Sequence, residues 1–250
     1  MTTKQRPYAV FDIDGTLIRW QLFHALVSVL AKRGLIDIEE FNAVLATKMN
    51  WKNRSSANSF EVYEQALIDL LDNSLKNISY QLYLEACNDV VKRYQEQVYT
   101  YTRDLLLYLK QQHYLIFAIS GSPEELVKQV ASYYKFDDYG ATKNAVKKGR
   151  FTGDKTLATG NNKLTILKQL IEKHNATNNG SIGIGDSIGD IPLLKFVERP
   201  IAFNPASELF AKASKESWEV VIERKNMVYK LQYENGRYVL ATPDSRQSPI

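Results

Sequence analysis

Apolar positions along this chain change spacing repeatedly, and the changes mark out its elements. Tyr8-Ala9-Val10-Phe11 is a short unbroken run of strand formers, whereas Leu22, Phe23, Leu26, Val27 and Leu30 recur at the 3.6-residue period of an amphipathic helix. That helix is predicted over Trp20 to Arg33, with Gly34 as its stop. The same period predicts helices over Ile38 to Lys48, Phe60 to Leu71 and Tyr80 to Tyr99, and no strand pattern interrupts residues 17 to 100.

From Asp104 the pattern alternates. A helix runs through Gln112, a strand follows over Leu115 to Ser120, and a helix over Pro123 to Tyr134 begins on a proline whose missing N–H is harmless there. A short hairpin is predicted over 139 to 152, pairing Ala141 to Val146 with Arg150 to Thr152. Then come helix Lys163 to His174, strand Ser181 to Gly185, helix Ile191 to Phe196, strand Ile201 to Phe203, helix Ala206 to Lys215 and strand Trp218 to Glu223. A final hairpin, Met227 to Tyr233 with Arg237 to Leu240, turns at Asn235-Gly236. Pro243 to Ile250 reads as a loose tail. Crossover helices between successive strands predict an α/β fold with a doubly wound parallel sheet. The expected organisation is a discontinuous core of residues 1–16 and 101–250, with a helical domain inserted over 17–100.

Bulk properties narrow the class. A chain of 250 residues, 44% hydrophobic, can bury a substantial core in one domain or two. The net charge is +4 with the signs interspersed, and Lys147-Lys148-Gly149-Arg150 reads as a solvated turn, so no nucleic-acid partner is expected. Cys87 is the one cysteine, which excludes an intramolecular disulfide, disfavours a thiol zinc site and suits a reducing compartment. On its helix it reads as a small buried hydrophobe. Met1 to Pro7 carries no apolar signal core, and no stretch approaches the ~20 apolar residues of a membrane span. The expected location is the cytoplasm, with no membrane partner and no obligate protein partner evident.

The candidate chemistry begins where the first strand ends, at Asp12-Ile13-Asp14-Gly15-Thr16. Residues i and i+2 of a strand share a face. Two carboxylates there, followed by a glycine turn, allow one to attack a phosphorus while the other handles the leaving-group proton. A solvated Asx turn would give the same letters. Three later segments favour the chemistry. Ile116-Phe117-Ala118-Ile119 leads into Ser120-Gly121-Ser122, Lys163 opens an amphipathic run after Gly160-Asn161-Asn162, and Ile182-Gly183-Ile184 leads into Gly185-Asp186-Ser187-Ile188-Gly189-Asp190. In order, spacing and residue type these four segments resemble the haloacid dehalogenase superfamily of phosphohydrolases, from about Tyr8 to about Pro205 outside the helical insert.

The resemblance implies roles for these residues. Asp12 would be the nucleophile, Asp14 the acid and base, and Lys163 the catalytic cation, with Lys155 the weaker substitute. Mg²⁺ would be held by the Asp12 carboxylate, the Asp14 carbonyl and Asp186, with Asp190 behind the metal shell. Ser120, the backbone at Gly121 and Thr16 would grip the phosphate. Local readings stay open beside these: Ser120 as a helix N-cap, Asp186 and Asp190 as turn and cap residues, and Thr16 as a cap at the entry to the insert.

The helical insert resembles the superfamily's cap domain, and with the hairpin near Gly149 to Gly153 the chain looks most like the phosphoserine phosphatase-like subfamily. The substrate-reading positions depart from that pattern. Gln21 stands where a Glu is expected, Leu67 falls where a carboxylate-binding Arg would lie, and Gly189 replaces an Asn. An amide and an aliphatic group supply no charge-assisted pair, so phosphoserine is not the favoured substrate. The expected activity is Mg²⁺-dependent hydrolysis of a small phosphorylated metabolite through an aspartyl-phosphate on Asp12. A phosphotransferase or mutase, or a non-catalytic phospho-ligand-binding protein, is the alternative. His24 and the tyrosines 63, 80, 83, 94 and 99 read as packing.

Overall fold

The computed structural model describes residues 5–56, 58–157, 159 and 162–241. The predicted tail from Pro243 to Ile250, the Gly160-Asn161 part of the loop before Lys163 and the first four residues lie outside them. The chain divides into two compact units: an α/β unit of Met1–Trp20, Tyr94–Thr142 and Ala158–Ile250, and a helical unit of Gln21–Arg93 with Lys143–Leu157.

In the α/β unit, β1 (Pro7–Phe11) lies at the centre of the sheet. β2 (Leu115–Pro123) and β3 (Asp138–Lys147) follow on one side, and β5 (Thr177–Gly185), β6 (Arg199–Phe203) and β7 (Glu219–Arg224) on the other, all parallel. β8 (Met227–Glu234) and β9 (Arg237–Leu240) extend the sheet antiparallel beyond β7. Their turn places Asn235 at φ 49° and Gly236 at φ 82°, the two positive values that the Asn-Gly signal predicts. Tyr8 to Phe11 and Ile116 to Ile119 are fully buried, which explains their unbroken apolar runs. The strand order reverses direction at β1, between β2 and β5, and such a switch opens a crevice outside the carboxyl ends of the strands.

Several boundaries differ from the sequence expectation for tertiary reasons. β2 runs past Ser120 to Pro123, because Pro123 pairs with Thr142 after a bulge, and α6 (Glu124–Tyr133) therefore starts one residue later than predicted. The helix expected to reach Tyr99 ends at Tyr94, and Val98 bridges Ile18 instead. α5 (Thr100–Gln111) begins four residues before the predicted Asp104, because the buried Glu223 carboxylate accepts the N–H groups of Thr100 at 3.0 Å and Tyr101 at 2.9 Å. α7 (Lys163–Lys173), the short α8 (Ile191–Leu194) and α9 (Ser207–Glu216) follow the predicted alternation closely.

The helical unit packs α1 (Leu22–Lys32), α2 (Ile38–Lys52), α3 (Ser59–Leu75) and α4 (Tyr80–Tyr94, entering the other unit at its last residue). Leu22, Leu26, Val27 and Leu30 form the buried stripe of α1, Tyr63, Leu67, Leu70 and Leu71 that of α3, and Tyr83, Cys87, Val90 and Val91 that of α4. Asp37 caps α2 through the N–H groups of Glu39 and Glu40, both at 2.9 Å. The hairpin expected with the core departs from it: residues 143–157, including β4 (Arg150–Leu157), cluster with these helices. Phe151 sets its ring edge-on to Tyr83 and Tyr80, Tyr80 N–H bonds the Gly149 carbonyl at 3.1 Å, and Lys155 pairs with Asp72 at 2.6 Å. No helix among the described residues is long and apolar enough to cross a membrane.

Candidate active site

The carboxyl-end segments of β1, β2 and β5 and the start of α7 hold the four sequence motifs in one unit. After Phe11 the chain stays tied to β5 by Asp12 N–H to the Ile184 carbonyl at 3.0 Å, then turns sharply. The Ile13 carbonyl accepts the N–H groups of both Leu17 at 3.0 Å and Ile18 at 2.9 Å, and Gly15 takes φ 81°, where a side chain would be strained. Ile13 is buried, so the flanking Asp12 and Asp14 are held between the apolar sheet and the crevice.

Lys163 enters from the first turn of α7 and is 6% exposed. Its Nζ donates to Asp12 Oδ1 at 2.8 Å and to Asp190 Oδ1 at 2.7 Å. Lys155, the substitute considered on sequence, is engaged by Asp72 in the helical unit, so Lys163 is the cation of this cluster. The other Asp190 oxygen accepts the Asp186 N–H at 3.2 Å, the Ser187 N–H at 3.0 Å and the Ser187 hydroxyl at 2.8 Å. Asp190 is thereby locked as a strut. Gly185 makes room for it: a Cβ there would fall 2.4 Å from Asp190 Cγ.

Asp12, Asp186 and Asp190 each present a carboxylate oxygen, all within 4.8 Å of one another. Burial pushes the Asp12 carboxyl up to about 7, against the pull of Lys163, with Asp190 and Asp14 raising it further. Burial likewise holds Asp186 well above the usual carboxylate range, and Asp12 and Asp190 add to it. Burial disfavours the charged form of Lys163, yet its two carboxylate partners outweigh that and keep the ammonium well above its ordinary value. Three clustered carboxylates facing one ammonium are short of positive charge, and a hard divalent cation with oxygen ligands fits this deficit. Asp12 and Asp186 are the residues placed to hold it, because both Asp190 oxygens are already engaged.

Asp14 is oriented differently. Its Oδ2 accepts the Ser120 hydroxyl at 2.9 Å and the Ser122 hydroxyl at 2.7 Å, and the Ser122 N–H bonds Ser120 Oγ at 3.1 Å. Ser120, expected to face phosphate, thus directs its hydroxyl to the second carboxylate. It sits inside a strand and not at a helix cap. Ser122 was not singled out by sequence reasoning. The signal was present, since i and i+2 of a strand share a face, but it required knowing that β2 continues past Ser120. Thr16 is fully buried; its hydroxyl faces Asp186 Oδ1 at 3.4 Å, and its carbonyl accepts the Thr102 hydroxyl at 2.9 Å. The Gly121 carbonyl is fixed by the Thr142 hydroxyl at 2.8 Å, and a Cβ at Gly121 would meet nothing within 4 Å, leaving open space beside the cluster.

The two positions expected to read the substrate belong to the helical unit. Gln21 precedes α1 and makes no side-chain cap, whereas Leu67 is fully buried in the apolar stripe of α3. His24, read as packing, lies among Phe23, Phe60 and Tyr63, and burial followed by the nearby Lys48 lowers it to about 4, so it is neutral near pH 7.

Residues 9–195 match the sequence profile of the haloacid dehalogenase-like hydrolases. Over 227 residues the chain is 26% identical to the histidinol-phosphatase of Neisseria meningitidis serogroup C (strain 8013), covering 85% of this chain and 97% of that one. A protein of unknown function from Bordetella pertussis Tohama I has a similar fold, with a TM-score of 0.70 at 19% identity over 88% of this chain and 99% of the other. A phosphoserine phosphatase captured as a phospho-aspartyl intermediate analogue is similar at a TM-score of 0.62 and 20% identity, over 89% of this chain and 95% of that one.

Proposed function

This chain belongs to the haloacid dehalogenase-like hydrolase family, and from that premise we propose that it is a Mg²⁺-dependent phosphomonoesterase of small metabolites, working through an aspartyl-phosphate on Asp12. The observation that carries the reading is the Asp12 carboxylate held at one oxygen by Lys163 and set beside Asp186 in a cluster short of positive charge. With Oδ1 hydrogen-bonded to the ammonium, the Asp12 carboxylate is held in one rotation for attack on phosphorus. A phosphomonoester dianion repels a carboxylate, and the buried Lys163 ammonium offsets that repulsion from a fixed position. Mg²⁺, held by Asp12, Asp186 and the Asp14 carbonyl, would supply Lewis-acid stabilisation of the phosphoryl oxygens.

Asp14 serves both halves of the cycle. As an acid it gives its proton to the departing alkoxide, and as a carboxylate it then takes one from the water that hydrolyses the acyl-phosphate. The Ser120 and Ser122 hydroxyls fix the rotation of that carboxyl group, which keeps its proton aimed at one place in both steps. Thr16 and the Gly121 backbone are assigned to the phosphate oxygens.

Two names order the test: histidinol phosphate, from the curated relative, and phosphoserine, from the structural neighbour. Phosphate release from a panel headed by these two esters, with Mg²⁺ and with excess chelator, tests the reading. Cation-dependent release from at least one ester, with an acid-stable but hydroxylamine-labile phosphoenzyme after rapid quench, is the expected result. Full release in chelator, or a phosphoenzyme in Asp12→Asn, would overturn it.

A further inference from the structure

The geometry points to a second ligand site in the α/β unit, a cleft of about 860 Å³ that takes a small planar aromatic anion. The cleft opens at the carboxyl ends of β6 and β7, and none of the clustered carboxylates lines it. One wall is the pair of segments around Trp20 and Tyr99, held side by side by Arg19 N–H to the Gln97 carbonyl at 2.8 Å and Tyr99 N–H to the Leu17 carbonyl at 3.0 Å. The other wall comes from the turn after β6, from α9 and from the β7–β8 turn, all beyond residue 195 where the family segment ends. The cleft therefore joins residues of the family segment to residues that follow its end. Its volume falls within the range of small-molecule sites.

Two large rings stay exposed in it, Trp20 at 53% and Phe210 at 39%. Both are positioned in advance: Trp20 rests 5.9 Å from Tyr94 and donates its indole N–H to Gln97, and Phe210 rests 5.4 Å from Tyr238. Preordered aromatic faces suit a planar ring, because little side-chain freedom is lost on contact.

The charges select an anion. Glu223 is already used, buried against two helix N–H groups and 3.3 Å from Arg19. Glu96 accepts the Tyr133 hydroxyl at 2.9 Å. Arg224 and Lys225, by contrast, have no side-chain hydrogen bond or ion pair among the described residues. Lys225 is held in the turn at φ 54°, and its carbonyl accepts the Arg19 guanidinium at 3.4 Å. Two uncommitted cations next to two exposed rings match a ring that carries a phosphate or a carboxylate. The Ala206 N–H bond to the Asp186 carbonyl at 2.9 Å and the charge of Asp186 acting on the Tyr99 phenol both connect this cleft to the candidate metal site.

Titration calorimetry on Asp12→Asn protein in chelator, where no probe is hydrolysed, tests the site with adenosine monophosphate as the phosphate form and indole acetate as the carboxylate form. Saturable binding of either is expected, weakened at least about tenfold by Arg224→Ala combined with Lys225→Ala, and again by Trp20→Ala. In an otherwise unaltered chain the Arg224→Ala, Lys225→Ala protein should keep its phosphatase turnover, which shows that it is folded. Absence of binding by both probes, or binding that survives all three substitutions and so resides elsewhere, overturns the proposal.

Discussion

Replacing Lys163 by Met preserves most of the side-chain length and removes the one positive charge that bridges Asp12 and Asp190. The ammonium bridges Asp12 and Asp190 at 2.8 and 2.7 Å, and none of the three side chains is more than 7% exposed. Breaking a buried ion pair by deleting one partner costs roughly 3–5 kcal/mol. Two pairs break here, but the losses do not double. Asp190 keeps its donors from Asp186 and Ser187, and Asp12, already pushed up to about 7, relieves the repulsion by taking a proton. A total of about 3–5 kcal/mol is therefore expected, or on the order of 6–20 °C in Tm for a chain of this size.

The pH dependence gives the sharper test. Without Lys163 the folded-state pKa of Asp12 rises further above its unfolded value. A group raised in this way stabilises the fold fully below its unfolded pKa and loses that contribution as pH rises through the folded one. The deficit of Lys163→Met relative to the native chain should widen from about pH 5 to about pH 8, as pH passes the value of about 7 at which Asp12 of the native chain ionises. Calorimetry in chelator across that range, reading the transition that contains the α/β unit, measures it, and a coupled assay should find turnover down at least about a thousandfold. A variant that unfolds with the native chain at every pH, or retains its turnover, would refute the assignment of Lys163 as the cluster's essential cation.

Asp12→Asn should abolish turnover yet unfold no earlier than the native chain in chelator, since the amide removes a buried charge that burial disfavours; initial rates and calorimetry on the same preparation check both. Asp14→Asn should slow nitrophenyl phosphate much less than an alkyl phosphate in single-turnover bursts, because only the alkoxide needs a proton, and an equal loss would move Asp14 out of the acid role. Gly185→Ala places a Cβ 2.4 Å from Asp190 Cγ and should cost about 1–3 kcal/mol. The same change should raise the Mg²⁺ concentration for half-maximal rate at least about tenfold, as read from a metal titration. Leu67→Arg should unfold the helical unit and not confer recognition of a substrate carboxylate, because the position is fully buried; circular dichroism against Leu67→Met, which should fold, decides it.

Three of the four motifs were legible in the sequence because each follows an apolar run that gives way to a few polar residues, and the fourth, Lys163, opens an amphipathic helix. Asp12, Ser120 and Asp186 all follow such runs, and parallel strands deliver their carboxyl ends to one edge of the sheet without further instruction. What stayed hidden depended on partners far along the chain. The start of α5 was misplaced because its cap, Glu223, lies more than a hundred residues downstream. The hairpin at 143–157 carries no local sign that Phe151 packs against Tyr80 and Tyr83. Leu67 was aligned to a charged counterpart by position alone, and one-dimensional spacing does not reveal which face of α3 is buried. The orientation of the Ser120 and Ser122 hydroxyls was illegible for a related reason: serine suits a cap, a phosphate or a carboxylate equally, and only the register of β2 against β3 chooses among them.

The arrangement of the carboxylates also explains why the chemistry sits in a place that is costly for stability. A sheet core that buries Asp12 and Asp190, with Asp186 half-buried, beside a single lysine forgoes the stabilisation that apolar side chains of the same volume would give. The fold contains that cost by building a rigid frame around the cluster: the Ile13 carbonyl turn on one side, the Asp190 strut against Gly185 on the other, and the paired serines beneath Asp14. That frame comes from the carboxyl-end segments of β1, β2 and β5 and from the turn that leads into α8. The parts of the chain that depart from the family pattern, Gln21 and Leu67 in the helical unit and the extension after residue 195, lie outside it. We propose that chemistry and selectivity are carried by different segments, an arrangement in which the leaving group can change in evolution without disturbing the balance of charge around Asp12.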